Sequence, residues 1–237
     1  MKIPGLVGGT GWVSTAEYYR LINIKSNQRL GDLKFAKLLI YSLNYGDIEV
    51  LNRTGNREGV YRLVEEAALK LEKGGADGIV LCANTLHQFS DRLESILTVP
   101  IIHIADAVAR AMTTAGIKKC GLLGTKQTME MDFYIKRLQE QDITVIVPAE
   151  KDRNEIQRII SGELLKNSFK KESRMFLEKL MEKLVKRGAG GIVLGCTELP
   201  LLLKKWKPGI PLFNTLEIHA QAVVDFALEE YSPSENI

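Results

Sequence analysis

Short apolar runs alternate along the chain with longer stretches in which apolar residues return every three or four positions. Runs of strand length occur at Ile3–Val7, Lys37–Ser42, Gly78–Cys82, Pro100–Ile104, Lys118–Leu123, Thr144–Val147, Gly191–Leu194 and Ile210–Phe213. Segments of helical period occupy Thr15–Gln28, Glu58–Lys73, Ser90–Ile96, Asp106–Thr114, Met129–Gln139, Asp152–Glu163, Lys171–Arg187 and Leu216–Glu229. A two-residue period gives a pleated strand and a 3.6-residue period an amphipathic helix. Their alternation predicts βα units around parallel sheet. The polar tail Ser232–Ile237 has neither period and is expected to fray.

The pattern occurs twice. Residues 75–81 read GADGIVL and residues 188–194 read GAGGIVL, an offset of 113. Val7-Gly8-Gly9-Thr10 is echoed by Leu122-Leu123-Gly124-Thr125, and each is followed by hydroxyl residues and a pair of aromatics (Tyr18-Tyr19, Phe133-Tyr134). Val99-Pro100 finds its echo in Ile210-Pro211. Matches in this order predict an α/β protein of two pseudo-symmetric lobes, each a parallel sheet flanked by helices. The expected lobes are 1–113, joined by a returning C-terminal helix at about 214–231, and 114–213. Ligands of open α/β sheets bind past the carboxyl ends of the strands, so the active-site cleft is expected between the lobes.

Composition narrows the function without naming it. With 45% hydrophobic and 26% charged residues among 237, the chain is an ordinary globular one. A net charge of +3, spread over 32 basic and 29 acidic side chains, makes no case for nucleic acid. The basic clusters Lys166 to Lys171 and Lys204 to Lys207 are interrupted by apolar residues and read as solvated surface. No apolar run approaches the roughly 18–20 residues of a membrane span, and no secretory leader is expected. Cys82, Cys120 and Cys196 make no disulfide framework and no zinc spacing, which suits a reducing, cytoplasmic compartment and predicts no metal.

The candidate chemistry sits at strand ends. Gly8-Gly9-Thr10-Gly11 joins the first strand to the first helix, where backbone N–H groups can approach an anion. A dinucleotide fingerprint would need a third glycine where Ser14 stands, so a carboxylate-binding loop and a plain tight turn remain. Gly124-Thr125-Lys126-Gln127-Thr128 repeats that chemistry. Asn84-Thr85 and Thr197-Glu198 follow the repeated strands; they are turn formers or substrate donors. At constant offset Cys196 falls opposite Ala83. Cys196 ends a strand before a helix, where backbone N–H groups are expected to lower a thiol's pKa and make it a catalytic acid or base. Cys120, within a strand, reads as core. Cys82 neighbours Ala83 and so should point to the opposite face unless the strand bends. His87, His103 and His219 have no metal spacing. Arg53, in a stretch that looks like loop, is either surface or a bidentate grip for a carboxylate.

The strings GGTG, CANTLH, LGTxxTM and GCTELP, in this order over nearly the whole chain, resemble the aspartate/glutamate racemase family, part of the cofactor-independent Asp/Glu/hydantoin racemases. The run STAEYYRLIN (residues 14–23) is similar to the broad-specificity members. The resemblance implies an amino-acid racemase with no cofactor, in which two thiols on opposite faces of the substrate α-carbon take and give the proton. It also implies substrate contacts from Thr10, Gly11, Asn84, Thr85, Thr125 and Thr197, a grip on the side-chain carboxylate by Arg53, and a homodimer. The family places cysteine or threonine where this chain has Ala83, so one acid–base group is missing and activity is expected to be impaired. Cys82, one residue early, is the weaker candidate for that role. Lys166 is an approximate match to a lysine that some members use. Two alternatives stand beside the racemase: a dicarboxylate- or amino-acid-binding homologue without turnover, and a one-cysteine enzyme of the decarboxylase type, for which a lone thiol suffices.

Overall fold

The computed structural model describes residues 1–166, 168–203, 209–229 and 231. The basic run 204–207 and the tail 232–237 lie outside the described residues. The chain divides into two compact units: Met1–His103 with the chain from His219 onward, and Ile104–Ile218.

The first unit is a parallel sheet of β1 (Pro4–Gly8), β2 (Leu39–Ser42) and β3 (Gly78–Leu81) in the order β2-β1-β3. Between these strands run α1 (Trp12–Leu30), α2 (Tyr45–Arg53) and α3 (Arg57–Lys73). A 3₁₀ turn at Asn84–Phe89 and the short α4 (Ser90–Glu94) follow β3. In α1, Ser14, Thr15, Tyr18, Leu21 and Ile22 are buried, a stripe at three- and four-residue spacing that lays one face on the sheet. α3 does the same with Val60, Val64, Ala67, Ala68 and Leu71. The core gathers Val7, Val64, Ile79, Leu81, Leu86 and Phe89.

The second unit opens with α5 (Ile104–Thr114) and continues through β4 (Lys119–Gly124), α6 (Lys126–Glu130), α7 (Asp132–Gln139), β5 (Thr144–Ile146) and α8 (Glu150–Gly162). It then runs through α9 (Lys171–Lys186), β6 (Gly191–Gly195), α10 (Leu199–Leu203), β7 (Leu212–Asn214) and the start of α11 (Thr215–Leu228). Its sheet is parallel, in the order β5-β4-β6-β7. Ile104, Val108 and Met112 of α5 share one core with Leu122, Ile156, Leu177, Val193 and Phe213. That shared core is why α5 belongs to the second unit, whereas the repeat had put it in the first.

Three local expectations change. The stretch around Arg53 is not loop but the last turn of α2. Asn44 caps this helix by accepting from Gly46 N at 3.1 Å; only Ile48, buried, and Leu51, half-buried, face the core, too short a stripe to announce it. The helix expected at Met129–Gln139 is broken at Met131, whose backbone is extended (φ −90°, ψ 147°). Pro100–Ile104 makes one parallel bridge, Ile79 to Ile101, rather than a strand. The apolar run after Cys196 forms the short helix α10.

Candidate active site

The sequence repeat is also a backbone repeat. Gly75 and Gly188 both turn left-handed, at φ +93° and +92°, a conformation that disfavours any Cβ. Three residues on, Gly78 and Gly191 each press on an aromatic ring. A Cβ there would stand 2.7 Å from Phe226 and 2.7 Å from Phe213 respectively. Ile79 N donates to Pro100 O at 2.9 Å, and Ile192 N donates to Pro211 O at 3.0 Å. Past the strands, Leu86 N donates to Ala83 O at 3.1 Å and Leu199 N to Cys196 O at 3.2 Å. Ala83 and Cys196 therefore hold the same place in the same kind of turn, each within its own unit.

In the second unit β4 and β6 pair through Gly124 and Gly195, which puts Thr125, Cys196 and Thr197 past adjacent strand ends. Two glycines are needed there: a Cβ on Gly124 would stand 2.9 Å from Gly195 O. Cys196 is 7% exposed, and its thiol donates to Glu198 Oε2 at 3.0 Å. Thr197 Oγ1 donates to the same oxygen at 2.8 Å. Burial first, and then the Glu198 carboxylate, hold the thiol well above its ordinary range, while the backbone N–H groups of Thr197 and Glu198 pull it the other way. The lowering expected from the strand-end position is thus overturned, because desolvation and a neighbouring anion outweigh the amides. Cys196 rests as a thiol whose proton already points at a carboxylate acceptor.

Glu198 was read with Thr197 as a turn former or substrate donor; its hydrogen bond to the Cys196 sulfur, which comes from the turn geometry, was missed. Gln157 was missed as well; its Oε1 accepts from Lys126 N at 2.8 Å and fastens the loop after β4 to α8. Thr125 caps α6, with its Oγ1 3.3 Å from Thr128 N and 3.0 Å from Thr128 Oγ1.

In the first unit β1 and β3 pair through Val7 and Leu81, so Thr10, Gly11, Ala83, Asn84 and Thr85 all follow adjacent strand ends. Gly9 has φ +86°, and a Cβ there would meet Leu43 O at 2.0 Å, so only glycine makes this turn. Its N–H donates to Thr15 Oγ1 at 2.9 Å. Thr10, Gly11, Ala83 and Thr85 are half-buried and Asn84 is buried. Cys82 is 1% exposed, and burial pushes its thiol far above the ordinary range. Cys120 lies in the core of the second unit, its thiol pushed up to about 12 by burial. All three cysteines are free.

Arg53 lies at the exposed end of α2 and pairs with Glu49 at 2.6 Å. His87, His103 and His219 are all buried in the first unit, with the His87 and His103 rings 4.3 Å apart and those of His87 and His219 5.5 Å apart. Among the described residues no set of three His, Cys, Asp or Glu side chains is placed to hold a metal ion. Among them, too, no helix is long and apolar enough to cross a membrane.

Two parallel-sheet units whose strand-end turns match at a constant offset define an internally repeated α/β protein. A family model described as Asp/Glu/Hydantoin racemase matches residues 7–223, and the chain belongs to that family. It is 25% identical to the broad specificity amino-acid racemase RacX of Bacillus subtilis (strain 168), over 93% of this chain and 96% of that one. Among solved structures, a candidate Asp/Glu racemase from Yersinia pestis is 42% identical with a TM-score of 0.91, covering 97% of this chain and 100% of that one. An aspartate racemase homologue from Pyrococcus horikoshii OT3 is 36% identical with a TM-score of 0.84, covering 97% and 100%.

Proposed function

We propose that the protein is a cofactor-independent amino-acid racemase of the aspartate/glutamate type, with Cys196 as its acid–base group. The observation that carries this is the Cys196–Glu198 hydrogen bond, in a turn whose twin bears Ala83. Glu198 takes the thiol proton and the thiolate removes the α-proton; water then protonates the opposite face of the carbanion, and the hydroxide left behind takes the proton held on Glu198. A buried thiol of high proton affinity is a strong base once ionised, which suits a weakly acidic α-carbon. Asn84, Thr85, Thr10, Gly11, Thr125 and Thr197 are assigned to the α-carboxylate and ammonium, and Arg53 to the side-chain carboxylate. The free cysteines support work in a reducing cytoplasmic compartment, and the family resemblance is the ground for a homodimer.

The methyl of Ala83 neither takes nor gives a proton, and the Cys82 thiol, raised by burial alone, has no hydrogen-bonded carboxylate among the described residues to take its proton. Water is therefore assigned to the opposite face of the α-carbon, and inversion is slower than a second thiol would make it. The test is incubation with L- and D-aspartate and L- and D-glutamate in D₂O. Deuterium should enter the α-position in a reaction that Cys196→Ala abolishes. No incorporation into any of the four would overturn the proposal. Ala83 also favours a second reading, stereospecific protonation by a lone thiol after decarboxylation. Turnover of disubstituted malonates without α-exchange of amino acids would select it.

A further inference from the structure

The carbonyls of Leu81 and Leu194 stand at matched positions, each two residues before the residue that heads its turn. Each receives a side-chain donor. His87 Nε2 lies 3.2 Å from Leu81 O, and Thr215 Oγ1 donates to Leu194 O at 2.9 Å. A carbonyl can only accept, so His87 carries its proton on Nε2. Both donors are completely buried.

The two donors are not counterparts in the repeat. His87 comes from the turn itself and folds back over Cys82–Leu86. Thr215 comes from the first residue of α11, just past β7. At offset 113 from His87 the chain has Pro200, which has no N–H or side-chain donor to offer. Two unrelated side chains thus reach the same acceptor from different directions. Leu194 is still in parallel register with Asn214 of β7, and a carbonyl oxygen has two lone pairs, so a side-chain donor adds to what the sheet supplies. Each clamp holds the first peptide of the turn in one orientation.

We propose that Thr215 and His87 are positioning residues that hold, through these carbonyls, the turns bearing Cys196 and Ala83. That these turns serve an amino-acid reaction rests on the racemase reading; the clamps themselves do not.

Thr215→Val keeps the shape of the side chain and removes its donor; Thr215→Ser keeps the donor. Iodoacetamide alkylation of the full-length protein is followed by mass spectrometry on the peptide carrying Cys196, across pH 7–10. A loosened turn admits water to the thiol, so T215V should alkylate at least about fivefold faster at pH 8 and titrate at lower pH. T215S should restore both values. α-Hydrogen exchange of aspartate by T215V should fall in kcat by about tenfold, with KM changed less than twofold. An alkylation rate within twofold of wild type, with an unchanged titration midpoint, would overturn the assignment of Thr215.

If T215V does not fold, the first unit decides. His87→Phe keeps a ring against His103 and His219, whereas His87→Gln keeps a donor near Nε2. Hydrogen–deuterium exchange at the Leu86 amide, which closes the turn onto Ala83 O, should accelerate about tenfold or more in H87F and recover in H87Q. Unchanged Leu86 protection in H87F overturns the clamp. A wild-type protein that exchanges no amino-acid α-hydrogen defeats the racemase reading, while alkylation and amide exchange still decide the clamps.

Discussion

The turn after β3 and the turn after β6 share a backbone and differ in chemistry. In both, a left-handed glycine, a strand started by a glycine against an aromatic ring, and a leucine amide closing on the head residue recur at the same offset. In one the head residue is Cys196, its proton directed at Glu198. In the other it is Ala83, followed by Asn84 and Thr85, with no ionisable side chain in the turn until buried His87. The backbone repeats where the ionisable group does not. On the proposed function, the asymmetry puts the acid–base group in the second unit.

The sharpest way to break this assignment is to remove the thiol. Cys196→Ala should lower α-hydrogen exchange by at least about a thousandfold, the scale of losing an acid–base group that has no substitute. The protein should remain folded by circular dichroism. A residual rate near wild type would move the chemistry elsewhere. Restoring the absent group tests the other half. With one thiol, deuterium enters the α-carbon faster than the enantiomer inverts. Ala83→Cys should raise inversion by about ten- to a hundredfold and bring the ratio of exchange to inversion close to one. Polarimetry and proton NMR on the same sample read both rates. An unchanged ratio would show that position 83 does not face the reacting carbon.

The same comparison shows what the amino-acid sequence could disclose. The repeat was legible because GADGIVL and GAGGIVL answer to backbone needs: φ near +90° at Gly75 and Gly188, and close aromatic contact at Gly78 and Gly191. Such constraints leave few residue choices, so they survive as strings. α2 was hidden because it is only 9 residues long, and Ile48 and Leu51, its core-facing pair, are too few for a period to stand out. The break at Met131 was hidden because nothing in Met-Glu-Met-Asp forbids helix. At the candidate site the position of Cys196 was legible and its protonation was not. A strand end before a helix suggests amides and a lowered pKa, but burial and Glu198 reverse the sign. Both depend on three-dimensional packing that single-residue patterns do not encode.

Glu198 sharpens the comparison further, since it has no ionisable counterpart at Thr85. Glu198→Gln removes the acceptor for the thiol proton and one of the two causes that raise the thiol's pKa. The two effects have opposite signs and can be separated. The Cys196 titration, followed by thiolate absorbance near 240 nm, should move to lower pH while staying above the ordinary thiol range, because burial, the larger cause, remains. Exchange at neutral pH should nevertheless fall by about ten- to a hundredfold, as the proton no longer has a carboxylate to move to. A titration that does not move would mean that Glu198 leaves the sulfur in solution.

Arg53 gives the smallest effect and a clean separation of its two readings. As an exposed partner of Glu49 one helical turn away, it stabilises the fold by no more than about 0.5 kcal/mol, so Arg53→Ala should leave the melting temperature nearly unchanged. As the grip on a side-chain carboxylate, its loss should raise KM for aspartate about tenfold, the worth of one charge-assisted hydrogen-bonded contact, with kcat little altered. Alanine used as a substrate carries no side-chain carboxylate, so its KM should not respond to the substitution. A KM for aspartate that is equally indifferent would leave Arg53 as a solvated helix end. Recognition of a side-chain carboxylate would then have to come from another residue.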